Sequence, residues 1–96
     1  MVYYSKRKYT FKTIRKSSDP KKKYETILEN KKTGKQVIMR WGSPSYEQYQ
    51  DKTPLKLYAH KDHKNKVRRD AYRARHRVYI RQGYYSPGQQ SWKWLW

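Results

Sequence analysis

Residues 24–41, YETILENKKTGKQVIMRW, decide the fold of this 96-residue chain. The first six residues are strand formers, and the last six place Val37, Met39 and Trp41 on one face by alternation. Between these runs lies NKKTG, a polar segment that ends in Gly34 and has an ordinary length for a hairpin loop. The stretch therefore predicts an antiparallel β-hairpin. Because a lone hairpin is only marginally stable in water, we expect a third strand or a covering helix beside it.

The composition around this hairpin is that of a small, strongly basic domain with a thin core. The chain holds 25 Lys and Arg against 7 Asp and Glu, a net charge of +18. Few aliphatic residues with so high a charge are typical of disorder. However, the 11 Tyr and 4 Trp argue against disorder, because each such ring can bury about 150–250 Å². We therefore expect one α+β domain that gains part of its order from a partner.

The positive charge is concentrated in two segments on either side of a nearly neutral centre. Residues 1–23 carry a net charge of +8 and residues 60–82 carry +7. The first segment is predicted to be a basic extended arm, either solvated or laid across a partner. The remaining residues, 24–96, are predicted to form one small domain. Its parts are the hairpin 24–41, a loop 42–60, a helix 61–78, and a Pro-Gly turn with a Trp-rich tail at 83–96.

The predicted helix 61–78 is amphipathic in an unusual way. Asp62 is its predicted N-cap, and a narrow apolar stripe follows from Val67, Ala71, Ala74 and Val78, which recur at helical spacing. Arginines stand on both sides of this stripe. Arg pairs with carboxylates through a planar fork and also stacks on rings. These arginines and three bases of the arm are the predicted partner-binding residues: Arg68, Arg69, Arg73, Arg75, Arg77, Lys6, Arg7 and Lys8.

The last segment combines a turn signal with three tryptophans. Pro87-Gly88 is typical of the centre of a type II turn. The three Trp residues that follow at every second position would share one face of a strand, whereas in a helix only Trp92 and Trp96 would align, and the sequence leaves both arrangements open. They either complete the core of this protein or fill a pocket of a neighbour, and the sequence leaves both alternatives open. For the second alternative the predicted aromatic anchors are Trp92, Trp94, Trp96, Tyr84 and Tyr85.

The sequence offers no constellation for catalysis or for a metal. It has no Cys, and no two carboxylates lie in an apolar setting that would separate their pKa values as acid and base catalysis requires. His60, Asp62 and His63 resemble a fragment of a metal site, but the surrounding lysines repel a divalent ion. No apolar run approaches the roughly 20 residues that cross a bilayer. We therefore predict a non-enzymatic protein with no cofactor, no small-molecule substrate and no membrane span.

A set of short motifs follows in one order along the second half of the chain. The motifs are His60-Lys61-Asp62, Arg68-Arg69-Asp70-Ala71-Tyr72, Arg75-His76, Tyr85-Ser86-Pro87-Gly88, Ser91-Trp92 and Leu95-Trp96. In this order, residues 35–96 resemble a family of small basic proteins encoded by large double-stranded DNA viruses, the chlorella-virus and mimivirus groupings. The resemblance implies a viral setting rather than a mechanism.

This setting favours a virion structural protein, a minor capsid component that bridges or cements major capsomers through basic and aromatic contacts. Its expected partners are the major capsid protein and other minor capsid proteins. Its expected place is the inner face of the capsid, and the host cytoplasm or nucleus before assembly. The alternative is a nucleic-acid-binding, DNA-condensing protein of the virion core, because a chain this basic binds DNA electrostatically. A host-directed regulator is a third hypothesis.

Overall fold

The structure, a computed structural model, describes residues 3–77, residue 80 and residues 83–96. These described residues form a three-stranded antiparallel sheet, in the order Tyr9–Lys16, Tyr24–Asn30 and Gln36–Trp41, a two-stranded sheet of Tyr4–Ser5 and Tyr84–Tyr85, and two α-helices. The predicted α+β class, with an antiparallel hairpin and a basic helix, is confirmed. The elements are β1 (Tyr4–Ser5), β2 (Tyr9–Lys16), β3 (Tyr24–Asn30), β4 (Gln36–Trp41), a 3-10 helix (Ala59–Lys61), α1 (Lys66–His76), β5 (Tyr84–Tyr85) and α2 (Pro87–Leu95).

The predicted hairpin is present as β3 and β4. The two strands pair antiparallel, with Tyr24 opposite Trp41. In the loop, the side-chain oxygen of Asn30 accepts hydrogen bonds from the backbone N–H groups of Lys32 and Thr33, at 2.9 and 3.1 Å. Gly34 closes the loop with a φ of 74°, a left-handed conformation that glycine adopts without strain. The Asn30 hydrogen bonds and the conformation of Gly34 therefore fix the loop at the position that the sequence predicted.

The predicted extended arm, residues 1–23, is wrong in its central part. Tyr9–Lys16 forms β2, which pairs antiparallel with β3 and supplies the third strand, and Tyr4–Ser5 pairs with β5. A register shift between Phe11 and Thr13 interrupts the alternation, so Phe11 and Ile14 both turn inward although they are three residues apart. Such a bulge hides the two-residue period of a strand, which explains why the sequence pattern read as an arm.

The Trp-rich tail is a helix, which decides between the two arrangements of the three Trp residues, and the predicted Pro-Gly turn is its first turn. Ser86 is the N-cap of α2, and its hydroxyl accepts a hydrogen bond from the Gln89 N–H at 3.1 Å. Pro87 occupies the first turn, where a missing N–H costs nothing because that group has no partner within the helix. The helix packs against β4. The hairpin thus has both the third strand and the covering helix that its marginal stability requires.

Helix α1 is shorter than predicted, and the face that it turns towards the rest of the protein is not the predicted apolar stripe. It begins after Asn65, whose side chain caps the N–H groups of Val67 and Arg68, whereas the predicted cap was Asp62. The predicted apolar stripe faces solvent, with Val67 79% exposed, and its last position, Val78, lies outside the described residues. The side chains turned towards the body of the protein are larger, half-buried and at helical spacing: Arg69, Tyr72, Arg73 and His76.

The apolar core lies between the sheet and α2. Its buried residues are Ile14, Tyr24, Trp41 and Leu95. The ring of Tyr24 lies 5.4 Å from the ring of Trp41 and 5.4 Å from that of Tyr58. Aromatic rings thus supply the area that the few aliphatic residues cannot supply.

A buried polar network extends this core into the loop that follows β4. Asp51, which is 1% exposed, accepts hydrogen bonds from the hydroxyl groups of Tyr24 and Thr53 and from the backbone N–H of Tyr58. Gln48, which is fully buried, donates to the Asp62 carboxylate at 2.6 Å. Because these buried groups satisfy one another, they fix a long loop without aliphatic packing.

Candidate functional site

The carboxylates of this protein are largely engaged within the fold. Glu25 is 1% exposed and accepts hydrogen bonds from Arg15 and Arg40, at 2.5 and 3.2 Å. Burial by itself would raise the pKa of Glu25, but the bonds from Ser18 and Arg15 outweigh it and lower the pKa to about 2. Three more carboxylates form ion pairs, namely Glu29, Glu47 and Asp70. The surplus positive charge is therefore carried by the surface.

One concentration of this charge lies where two turns meet at an end of the sheet. The turn between β1 and β2, residues 6–8, touches the hairpin loop: the Lys31 N–H donates to the Lys8 carbonyl at 2.8 Å, and the Lys31 ammonium donates to the Lys6 carbonyl at 3.0 Å. A pocket of about 390 Å³ between them is lined by no carboxylate. We call the exposed bases of the two turns the turn cluster: Lys6, Arg7, Lys8, Lys31 and Lys32, of which all but Lys6 line the pocket.

A second concentration lies in a cleft of about 410 Å³ between the loop after β4, helix α1 and the end of α2. We call it the helix cleft. Its apolar wall consists of Tyr72, Leu95 and Trp96. The polar and charged residues that line it are Lys23, Ser43, Tyr46, Glu47, Arg68, Arg75, His76 and Ser91.

The aromatic wall of the helix cleft is a continuous stack of rings. The Tyr72 ring lies parallel to Trp96 at 4.1 Å and to His76 at 4.0 Å, so both of its faces are covered. His63 packs against Trp96 at 5.2 Å, and burial lowers the pKa of His63, with the charge of Arg68 acting in the same direction. The stack joins α1 to the C-terminal end of α2, so it positions the arginines of α1 beside the cleft.

Lys23 adds positive charge to the cleft from beneath. Its side chain is buried, and its ammonium donates to the Tyr46 carbonyl at 2.8 Å and to the side-chain oxygen of Gln48. Burial and the neighbouring charge of Lys61 lower the pKa of Lys23 to about 8, although Asp51 and Asp62 act in the opposite direction. Lys23 is thus mostly protonated at neutral pH, so it contributes a fixed positive potential.

The five arginines predicted as a partner clamp fall into two groups. Arg69 and Arg73 contact the protein itself: their guanidinium groups lie over the rings of Tyr49 and Trp92, at 4.8 and 5.3 Å. The other three lie on the exposed part of the helix: Arg68 and Arg75 line the cleft, and Arg77 is the C-cap residue of α1.

The predicted aromatic anchors also lie within the fold. Trp94 donates from its indole to the Gln90 side chain at 3.0 Å and packs on the core, as Trp96 does. Trp92 lies beneath Arg73, and the Lys6 ammonium lies 5.4 Å from the ring of Tyr85. Tyr84 keeps 42% of its surface exposed. Of the two alternatives for the Trp tail, packing on this protein's own core is the one the structure favours.

Sequence reasoning missed Lys31 and Lys32 as site residues, together with Lys23, Ser43 and Tyr46 of the cleft. The two lysines stand in the predicted hairpin loop, so recognising β2 would have placed them beside residues 6–8. The cleft residues carry no such signal, because they come from separate loops that only the tertiary fold brings together.

The fragment of a metal site that the sequence suggested is used in hydrogen bonds. The Asp62 carboxylate accepts from Gln48 and from the Asp51 N–H, and the His63 ring accepts from the Asn65 N–H. Over residues 3–77, 80 and 83–96, no group of three or more His, Asp or Glu side chains is arranged to hold a metal ion. Within the same residues, no helix combines the length and the apolarity needed to cross a membrane.

The turn cluster and the helix cleft lie at opposite ends of one strand. β3 begins at Tyr24, directly after Lys23 of the cleft, and ends at Asn30, directly before Lys31 of the turn cluster. The six steps of about 3.4 Å from Tyr24 to Asn30 place roughly 20 Å of strand between the two sites. The hairpin therefore carries one cationic site at each end.

No family model matches this sequence, and no significant similarity to a curated protein or to a solved structure was found. Interpretation of the two cationic sites therefore rests on their own geometry and charge.

Proposed function

We propose that this protein is a virion structural protein of a large double-stranded DNA virus, a minor capsid component that bridges or cements major capsomers. The observation that carries the proposal is the placement of two cationic sites at opposite ends of β3. A bridging protein must engage two surfaces at once, and two sites with roughly 20 Å of a stiff strand pair between them meet that need. The partners are acidic surfaces of the major capsid protein and of other minor capsid proteins, on the inner face of the shell.

The turn cluster supports this role through its charge and its rigidity. Five exposed bases stand on two short connections that hydrogen bonds between Lys31 and the turn 6–8 hold together. Because the backbone is ordered before binding, association loses less conformational entropy than it would with a loose arm. Charge complementarity of this kind directs encounter and orientation.

In the proposed function the protein binds its partners and catalyses no reaction. The two buried carboxylates, Glu25 and Asp51, are each held by several donors within the fold. Such carboxylates lack the access to substrate that a general base or a nucleophile needs. The protein is therefore proposed to be non-enzymatic.

The turn cluster also favours one alternative function, a nucleic-acid-binding protein of the virion core. Lysines on an exposed pocket free of carboxylate lining residues suit phosphates as well as carboxylates. Binding of that kind weakens steeply with salt, because it depends on counterion release. It predicts that the protein follows the genome rather than the shell.

Fractionation of purified virus particles separates the two functions. Particles are opened gently, treated with nuclease and washed at high salt, and the protein is quantified in shell and core fractions by mass spectrometry. We expect retention with empty shells at a fixed ratio to the major capsid protein. Release together with the genome would replace the capsid function with the core function, and absence from particles would contradict both.

A further inference from the structure

The helix cleft combines a charged rim with an apolar wall. Arg68 and Arg75 stand at the rim, whereas Leu95, which is 1% exposed, lies in the wall beside Trp96. A volume of about 410 Å³ accommodates a few side chains of a bound chain. The cleft thus suits a ligand that carries negative charge next to an apolar group.

One carboxylate already occupies part of this rim. Glu47 accepts a hydrogen bond from the Arg68 guanidinium at 3.1 Å, and the side chains of Glu47 and Arg68 are 56% and 48% exposed. An ion pair this exposed contributes at most about 1 kcal/mol. A carboxylate from a partner can therefore replace Glu47 at little cost. Arg75 is exposed at the same rim and takes part in none of the ion pairs among the described residues.

The aromatic residues of the apolar wall, Tyr72 and Trp96, are poorly suited to a nucleobase. Binding of single-stranded nucleic acid uses free ring faces on which bases stack. Here the Tyr72 ring is covered on both faces, and Trp96 contacts Tyr72 and His63. The Arg68–Glu47 pair shows that a carboxylate fits this rim. These features favour a carboxylate ligand over a nucleotide.

We propose that the helix cleft is the docking site for an acidic peptide segment in which carboxylate side chains flank an aliphatic one. The carboxylates pair with Arg68 and Arg75, and the aliphatic side chain packs on the partly exposed Tyr72 and Trp96 of the apolar wall. This proposal rests on the proposed function and deepens it, since it specifies the chemistry of the capsid segment that one end of the hairpin binds.

Titration by ¹H–¹⁵N NMR tests the proposal with defined probes. The first probe is a nine-residue peptide with blocked termini, in which Asp-Leu-Glu is repeated three times. The second is the same peptide with Gly in place of each Leu, and the third is an oligothymidylate of nine nucleotides. At about 0.15 M salt, where exposed charges more than roughly 8 Å apart are screened, the leucine peptide is expected to shift the Trp96 indole and the backbone amides of Ser43 and residues 45–47. The glycine peptide is expected to bind at least about tenfold more weakly, because it lacks the apolar contact.

Two matched variants distinguish the effect of a charge in the cleft from the effect of a lower net charge. Arg75→Glu and Lys32→Glu each lower the net charge by two at an exposed position, the first in the cleft and the second in the turn cluster. We expect Arg75→Glu to weaken the leucine peptide at least about tenfold, since a like charge then faces its carboxylates, and Lys32→Glu to change its Kd less than about twofold. Heteronuclear spectra of both variants verify that the fold is retained.

Three outcomes would overturn the proposal: equal weakening by both variants, peptide shifts centred on the turn cluster, or displacement of the peptide from the cleft by the oligothymidylate. These results are independent of the particle fractionation. Peptide binding in the cleft by a protein that is absent from shells would contradict the capsid function alone. Retention in shells without peptide binding in the cleft would contradict this docking site alone.

Discussion

The three-stranded sheet and helix α1 are held in the molecule by different kinds of contact. β3 places five consecutive buried residues between two neighbouring strands, and its core side chains pack against Trp41 and Leu95. Helix α1 has no buried residue at all. It is attached through guanidinium groups over rings and through the stack of Tyr72 on Trp96.

This difference shows how a chain with few aliphatic residues can assign stability to one part of the fold and binding to another. Burial of large apolar side chains contributes several kcal/mol per residue, whereas exposed cation–π contacts contribute about 0.5–1 kcal/mol each. The sheet therefore provides the stability, and α1 can present its arginines because little of the stability depends on them. Each of the following predictions tests that division.

The largest effect is expected from Trp41→Ala in the sheet. Trp41 is 1% exposed, and its indole donates to the Thr26 hydroxyl at 2.9 Å. Loss of the ring leaves a cavity and removes the indole bond to Thr26, whose hydroxyl still donates to Gln90, so the free energy of unfolding should fall by about 3–5 kcal/mol. Urea denaturation monitored by circular dichroism measures the change. Val67→Ala, at a 79% exposed position of α1, is the control and should change it by less than about 0.5 kcal/mol.

The next largest effect is a loss of folding stability at low pH, and it arises from Glu25 in the sheet. The pKa of Glu25 is about 2 in the folded protein, whereas its ordinary value is 4.5. Between these pH values the folded state therefore binds fewer protons than the unfolded state. The stabilisation is fully present above pH 4.5 and is lost as the pH falls towards 2, by about 3 kcal/mol in total.

Urea denaturation at a series of pH values between 6 and 2 measures this loss. Glu25→Gln should be less stable than the parent protein at pH 6 and should show a flatter dependence on pH. An equally steep acid dependence in Glu25→Gln would show that other carboxylates are responsible.

A smaller effect is expected where the sheet meets the polar network. The Tyr24 hydroxyl donates to Asp51 and accepts from the Leu57 N–H at 2.9 Å. Burial, reinforced by the bond to Asp51, raises the pKa of Tyr24 to about 12. Tyr24→Phe keeps the ring but removes one donor from the buried Asp51 and the acceptor of the Leu57 N–H, so we expect a loss of about 1–3 kcal/mol. Thermal unfolding detects it, and an unchanged midpoint would contradict a structural role of the network.

The sequence predicted the sheet better than the helix for physical reasons. The hairpin followed from alternation and loop chemistry, both of which are local in the chain. β2 was missed because the bulge between Phe11 and Thr13 breaks its period. Ser86 before Pro87 was a readable helix start, but Pro-Gly also fits a turn, and only packing against β4 decides between them.

The orientation of α1 was not accessible from its apolar periodicity. Val67, Ala71 and Ala74 offer little area, so the larger surfaces of Tyr72 and the stem of Arg73 are the ones buried. Of the predicted site residues, three line the cleft and three belong to the turn cluster: Arg68, Arg75 and Trp96 in the cleft, and Lys6, Arg7 and Lys8 in the turn cluster. Tyr46 and Lys23 were not predicted, because their proximity to the cleft arginines exists only in the folded chain.

The smallest predicted effect distinguishes a loosely attached helix from one that unfolds with the sheet. The Arg73 guanidinium lies over Trp92 and donates to the Trp96 carbonyl at 2.7 Å. Arg73→Met keeps most of the apolar stem and removes both contacts, so we expect α1 to lose about 1 kcal/mol of local stability. Native-state hydrogen exchange should then show about fivefold faster exchange in residues 69–76 and unchanged exchange in β3. Equal acceleration in both regions would mean that α1 and the sheet open as one cooperative unit, and the division between a stabilising sheet and a binding helix would fail.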